Sequence, residues 1–145
     1  MAHEIAEEIF IAASPERLFD AWTQAEQMTA WWKNDGEFHT EHFENDLRPG
    51  GAWLVRFRTP DGSAVEAKGE YLRVARPTFL SFTWQADWDT GGPTAIELEF
   101  QAVADGTLVK LRHSGFDDAG WRDANKDVWR ETLDWLRCYL TAKKD

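Results

Sequence analysis

Few residues in this chain can do chemistry, and their spacing restricts what each can do. Glu97 and Glu99 stand two apart in a segment of alternating character, Ile96-Glu97-Leu98-Glu99-Phe100. At the rise of a β-strand their carboxylates would lie about 7 Å apart on one face, a separation that suits an acid/base pair. Ile96, Leu98 and Phe100 claim the other, inner face, so two solvated glutamates are expected and no catalysis. His39 and His42 are three apart on a predicted strand and should point to opposite faces, while His3 lies at the N-terminus, so no zinc site is expected. Ser114 directly follows His113, and neighbours on a strand diverge, which rules out a nucleophile and base arrangement. Gly50-Gly51 and Gly91-Gly92 lack the spacing of a phosphate-binding loop and read as turns. Cys138 is the one cysteine, which excludes an internal disulfide and a multi-cysteine metal site; with no adjacent base it reads as a plain surface thiol. No catalytic residue, metal or cofactor is assigned. The remaining signal is an aromatic excess, nine Trp and nine Phe.

These side chains need elements to hold them. Asp117 to Thr141 reads as one long amphipathic helix, capped by Asp117 or Asp118 and followed by Lys143 and Lys144 at its negative end. At 100° per residue Trp121, Asn125, Val128, Trp129, Thr132, Leu133, Leu136, Tyr139 and Leu140 share an arc of roughly 140°, with Asp123, Asp127, Arg130, Glu131, Asp134 and Arg137 opposite. Cys138 falls off the arc. A helix of about six turns crosses a whole small domain, so something wide must lie against it. Ile5, Ile9 and Ile11 predict a first strand over 3–12. Ser14-Pro15-Glu16 then announces a helix with Leu18, Phe19 and Trp22 as its buried stripe. Thr23 can cap a second short helix over 24–32, anchored by Met28, Trp31 and Trp32.

From Gly36 to Ser114 the period changes to two and turn signals recur, giving a meander of about six strands. Asp105-Gly106 as a two-residue type I′ turn pairs Phe100 with Leu111, Leu98 with His113, and Glu99 with Arg112. A turn at Pro60-Asp61-Gly62 pairs Phe57 with Val65, Val55 with Ala67, Trp53 with Gly69, and Arg56 with Glu66 outside. The hairpin around Pro77 pairs Phe82 with Leu72 and Trp84 with Glu70. The last two registers conflict, and a bulge near Gly69 reconciles them by turning Glu70 inward. No residues are left for a parallel crossover, so the fold class is α+β, an antiparallel sheet bent around the terminal helix.

A length of 145 residues predicts one domain over 1–145, and 43% hydrophobic content is ample for a core. A formal charge of −10 disfavours nucleic acid and anionic membrane as partners. No run approaches the length of a membrane span, and Glu4, Glu7 and Glu8 stand where a signal peptide needs a basic start and an apolar run; a cytoplasmic protein is expected. Oligomeric state is not legible.

The motifs Ala13-Ser14-Pro15-Glu16-Arg17-Leu18-Phe19-Asp20-Ala21-Trp22-Thr23, Trp31-Trp32, Arg48-Pro49-Gly50-Gly51-Ala52-Trp53, Gly69-Glu70-Tyr71-Leu72, Leu80-Ser81-Phe82-Thr83-Trp84 and His113-Ser114-Gly115-Phe116 resemble the START-related SRPBCC superfamily. Within it the chain is similar, from about Ile5 to Leu140, to homologues of the activator of heat-shock protein 90 ATPase. That resemblance implies a helix-grip fold, a curved seven-stranded antiparallel sheet wrapped around the long C-terminal helix with a cavity between them. The eukaryotic activators carry a further N-terminal domain that engages the chaperone, and 145 residues leave no room for it, so co-chaperone activity is not expected. Relatives bind lipids, plant hormones or other apolar molecules, and some cyclise or hydrolyse polyketides; fold alone decides none of this. The aromatic residues fit a packed core or a cavity wall equally well, and the resemblance favours the cavity. The expected ligand site combines Trp53, Phe57, Phe82, Trp84, Phe100, Trp129 and Leu133 with three inward polar groups, Glu70, His113 and Asn125. Its expected partner is a small apolar or aromatic molecule, bound without covalent chemistry. The alternatives are a polyketide cyclase or hydrolase using Glu70 or His113 as acid/base, and a chaperone-related interaction module.

Overall fold

The computed structural model describes residues 3–32, 39–87, 93–116 and 119–141. Strand β1 (His3–Ile11) leads into helix α1 (Pro15–Thr23), where the Ser14 hydroxyl accepts from the Arg17 amide at 3.2 Å and Pro15 takes the first helical position, as the Ser-Pro-Glu signal predicts. Helix α2 (Ala25–Trp31) follows. Thr23 does not cap it. Its hydroxyl donates back to the Phe19 carbonyl at 2.9 Å, and Gln24 occupies the cap position without a side-chain bond. Met28, Trp31 and Trp32 are buried as anchors.

Six strands then run to Phe116: β2 (His39–Asn45), β3 (Ala52–Arg58), β4 (Ala64–Ala75), β5 (Phe79–Ala86), β6 (Thr94–Val103) and β7 (Gly106–Phe116). All pairings are antiparallel in the order β1-β7-β6-β5-β4-β3-β2. Helix α3 (Ala119–Thr141) closes the chain, with Trp129, Thr132, Leu133, Leu136 and Leu140 buried on the predicted arc. Tyr139, Asn125 and Trp121 are half-buried there, and Trp135, just outside the arc, also packs against the core. The predicted caps at Asp117 and Asp118, the lysines after the helix and the turn at Gly91-Gly92 lie outside the described residues. No described helix is long and apolar enough to cross a membrane.

The β3–β4 register agrees with the sequence reading, including Phe57 with Val65 and the outer Arg56–Glu66 ion pair at 2.9 Å. The β6–β7 register does not. It is shifted by two residues, pairing Phe100 with Val109, Leu98 with Leu111, Glu97 with Arg112, and Glu99 with Lys110. The loop is Ala104-Asp105, and Asp105 carries the positive φ of 69°. Gly106 is already in the strand, and it is glycine for another reason: a Cβ there would stand 2.4 Å from the Ile11 carbonyl oxygen of β1. A slip of two keeps the faces, so Glu97 and Glu99 are exposed beside cations, as expected.

The bulge required on β4 exists, but the register changes between Tyr71 and Arg73, at Leu72. Leu72, 49% exposed, is the extra residue. Tyr71 therefore turns inward and Glu70 outward, which corrects the inward placement of Glu70. A second irregularity, between Thr40 and His42 on β2, sets Thr40 and Phe43 inward and leaves His39 and His42 outside, opposite Arg58 and Arg56. The two histidines thus share the outer face rather than opposing ones, and His42 meets Glu44 at 2.8 Å.

Candidate functional site

Strands β7 and β3 are separated by three others in the sheet. Flat, they would stand about 19 Å apart at the usual strand spacing. Yet His113 of β7 and Phe57 of β3 line one cleft of about 370 Å³, so the sheet curls around the space it encloses with α3. Trp84 of β5 and Val65 of β4 complete the sheet wall; Asn125, Val128, Trp129 and Thr132 form the helix wall; Trp32, after α2, and Thr59, after β3, close the ends.

Two hydrogen bonds to backbone place the α2 end. The Thr40 hydroxyl donates to the Trp32 carbonyl at 2.6 Å, and the Trp31 indole donates to the Ala21 carbonyl at 2.8 Å. Asn45 ties the same corner to the sheet, donating to the Thr23 carbonyl at 2.9 Å and to the Tyr71 hydroxyl at 3.0 Å. Burial pushes that phenol up to about 12, with the Asn45 bond working the other way, so Tyr71 stays a neutral strut.

The ring planes give the cleft a shape. Trp32 stacks with Trp84 at 6.0 Å and 24°, and with Phe57 at 6.5 Å and 21°, while Trp129 meets Trp32 edge-on at 6.1 Å and 81°. Two rings thus lie within 24° of the Trp32 plane and a third stands across it. The indole N–H groups of Trp22, Trp32 and Trp53 are buried without a partner among the described residues. Trp22 and Trp32 meet in a T-shaped pair at 5.3 Å, where a ring face offers a weak acceptor at best.

His113 is 2% exposed and its partners determine its protonation. The Trp129 indole, which can only donate, reaches His113 Nδ1 at 2.9 Å. Nδ1 is therefore bare and Nε2 carries the proton, which it donates to Thr94 Oγ1 at 2.7 Å. Thr94 passes its own proton toward the Trp84 carbonyl at 3.3 Å. Burial pushes the imidazole down to about 3, and a proton on Nδ1 would set two N–H groups head to head. The partners are side chains of β6 and α3. Both ring nitrogens are occupied, so His113 joins α3 to the sheet as a neutral connector.

Of the expected site residues, the structure brings Phe57, Trp84, His113, Asn125 and Trp129 to the cleft. Trp53 and Phe82 line a separate void of about 20 Å³ beyond Trp32 and Trp84, which border both spaces. Phe100 and Leu133 line neither and are buried core. Glu70 is exposed outside, its amide donating to the Thr83 hydroxyl at 2.9 Å. The sequence reading did not place Trp32, Thr59, Val65, Val128 and Thr132 at the site, although Val128 and Thr132 were on the buried arc and Val65 pairs with Phe57. Among the described residues no group of three or more His, Cys, Asp or Glu side chains is arranged to hold a metal, and Cys138 is exposed.

The same architecture occurs in solved structures. Protein CV1439 from Chromobacterium violaceum superposes with a TM-score of 0.84 at 21% identity, over 94% of this chain and 96% of that one. The AHSA1-like protein from Aeromonas hydrophila gives 0.81 at 24% identity, over 97% and 93%. The AHSA1 protein SPO3351 from Silicibacter pomeroyi gives 0.81 at 21%, over 97% and 99%. At these identities the likeness establishes the fold. No curated protein matches the chain. The family model described as activator of Hsp90 ATPase homolog 1-like protein matches residues 12–141. With a seven-stranded sheet gripping one long helix and that match across nearly its whole length, the chain belongs to the activator of Hsp90 ATPase homolog 1-like family.

Proposed function

We propose that this protein, acting as one domain over residues 1–145, binds an apolar or aromatic small molecule in the cleft between sheet and α3, without covalent chemistry. The observation that carries this reading is the cleft itself. About 370 Å³ of space is walled by Trp32, Phe57, Trp84 and Trp129 and rimmed by a few uncharged polar groups, the usual make-up of a small-molecule site. The cyclase or hydrolase alternative loses its two candidates for acid/base work. Glu70 is outside, and His113 has both nitrogens engaged and remains neutral at any ordinary pH. The chaperone-related module has no comparable observation in its favour.

Calorimetric titration with 2-naphthol, an uncharged bicyclic probe small enough for the cleft, tests the proposal. One saturable site per chain is expected. Val128 on α3 is 39% exposed and lines the cleft, so Val128→Trp should fill the mouth at little cost to folding and abolish the heat. No saturable heat with the wild-type protein, or equal binding by the variant, would refute it.

A further inference from the structure

We infer that the cleft selects uncharged aromatic molecules carrying a hydroxyl or primary amide at one end, which Asn125 receives; this rests on the binding role proposed above. The lining described contains no Lys, Arg, Asp or Glu. Its single titratable group, His113, spends Nδ1 on Trp129 and Nε2 on Thr94, so it has no N–H left to neutralise an incoming anion. A carboxylate or phosphate in this space would lose its water and gain no charged partner among the described residues. The chain's formal charge of −10 adds long-range repulsion to that local deficit. A cation would be drawn by the same charge, but a cation cage needs ring faces turned to a common centre. Here Trp32, Phe57 and Trp84 lie near-parallel instead.

The polar end follows from what is still free on α3. Asn125 donates one N–H to the Trp121 carbonyl at 3.0 Å, which leaves its amide oxygen and second N–H without a partner among the described residues. Thr132 donates its hydroxyl proton to the Val128 carbonyl at 2.7 Å, so its oxygen can only accept further. Residues 125 and 132 are two helical turns apart, about 10 Å along one face, so one small polar group cannot reach both, and Asn125, with a donor and an acceptor to offer, is the one that receives it. A group that both donates and accepts, a hydroxyl or a primary amide, satisfies both free atoms of Asn125; a carboxylate, which only accepts, leaves the Asn125 amide oxygen without a donor.

The test uses probes of one ring shape on the full-length protein at neutral pH: 2-naphthamide, 2-naphthoate, (2-naphthyl)methylammonium and naphthalene, titrated by calorimetry. The amide is expected to bind about 100-fold or more tightly than the carboxylate, and more tightly than the ammonium. Asn125→Leu, at a half-exposed position, should weaken the amide about tenfold relative to naphthalene, which has no polar end to lose. Equal affinity for amide and carboxylate, tighter binding of the ammonium, or an Asn125→Leu effect equal on amide and naphthalene would each overturn the inference while leaving the cleft as a binding site. Failure of both naphthalene and the amide to bind would overturn the binding role and this inference with it.

Discussion

His113 shows how much of a residue's chemistry is set by its neighbours. Its free-chain value near 6.5 falls to about 3 on folding, so the unfolded chain takes up a proton that the folded protein refuses. Stability from this group is fully present above about pH 6.5 and is lost as the pH falls toward 3, at about 1.4 kcal/mol per pH unit. Urea unfolding of the wild type and His113→Gln at a series of pH values should show the wild type losing that increment relative to the variant; parallel curves would contradict it. Trp129→Phe should cost about 1–3 kcal/mol, because Nδ1 of His113 is then buried without a donor. Denaturant midpoints at constant slope measure it. The inward turn of His113 was legible from strand alternation, whereas its hydrogen-bond partners were not, since Thr94 and Trp129 lie on other elements. Glu70 was misplaced because a single-residue bulge reverses every side chain beyond it, and nothing in Gly69-Glu70-Tyr71-Leu72 marks which residue is the extra one.

At the level of elements, the strands, helices and hydrophobic faces follow from periodicity, and the errors concentrate in turns. Asp105-Gly106 carries the composition of a type I′ hairpin, but Gly106 answers to the Ile11 carbonyl on β1. A glycine demanded by a distant strand cannot be told from one demanded by its own turn when only local sequence is read. Gly69 is the sharper case. It looked like a bulge and is a close approach: a Cβ there would lie 1.9 Å from the Thr83 carbonyl oxygen and 2.6 Å from Trp53 Nε1. Because the first of these atoms is backbone of the adjacent strand, Gly69→Ala should force β4 from β5 and destabilise by about 3 kcal/mol or more, the upper end of overpacking costs. Thermal unfolding of the variant checks this, and a loss below about 1 kcal/mol would mean that the strands yield where the structure has them in contact.

Across the whole molecule, a cleft held between a sheet and a single helix couples occupancy to folding, because a guest touches both and unfolding releases it. At ten times its dissociation constant 2-naphthol should add about 1.4 kcal/mol and raise the melting temperature by roughly 3–6 °C. Val128→Trp should melt at the same temperature with and without the probe; a shared upward shift would place the binding elsewhere. The architecture was legible from the sequence because sheet and helix have distinct periods. The extent of the cleft was not, because Phe100 and Leu133 carry the same apolar character as Phe57 and Trp84, and only three-dimensional packing decides which rings meet each other and which face a gap. The cluster that results has an optical consequence. Trp22, Trp31, Trp32, Trp53, Trp84 and Trp129 form one connected set, with ring centres 5.0–6.2 Å apart along its links. At such separations an absorbed ultraviolet photon does not stay on the indole that took it up, and the excitation migrates across the set until the ring with the lowest-lying excited state emits or a quencher intercepts it. Ultraviolet emission from this protein is therefore a collective signal, in which one quenching guest beside Trp84 darkens rings it never touches.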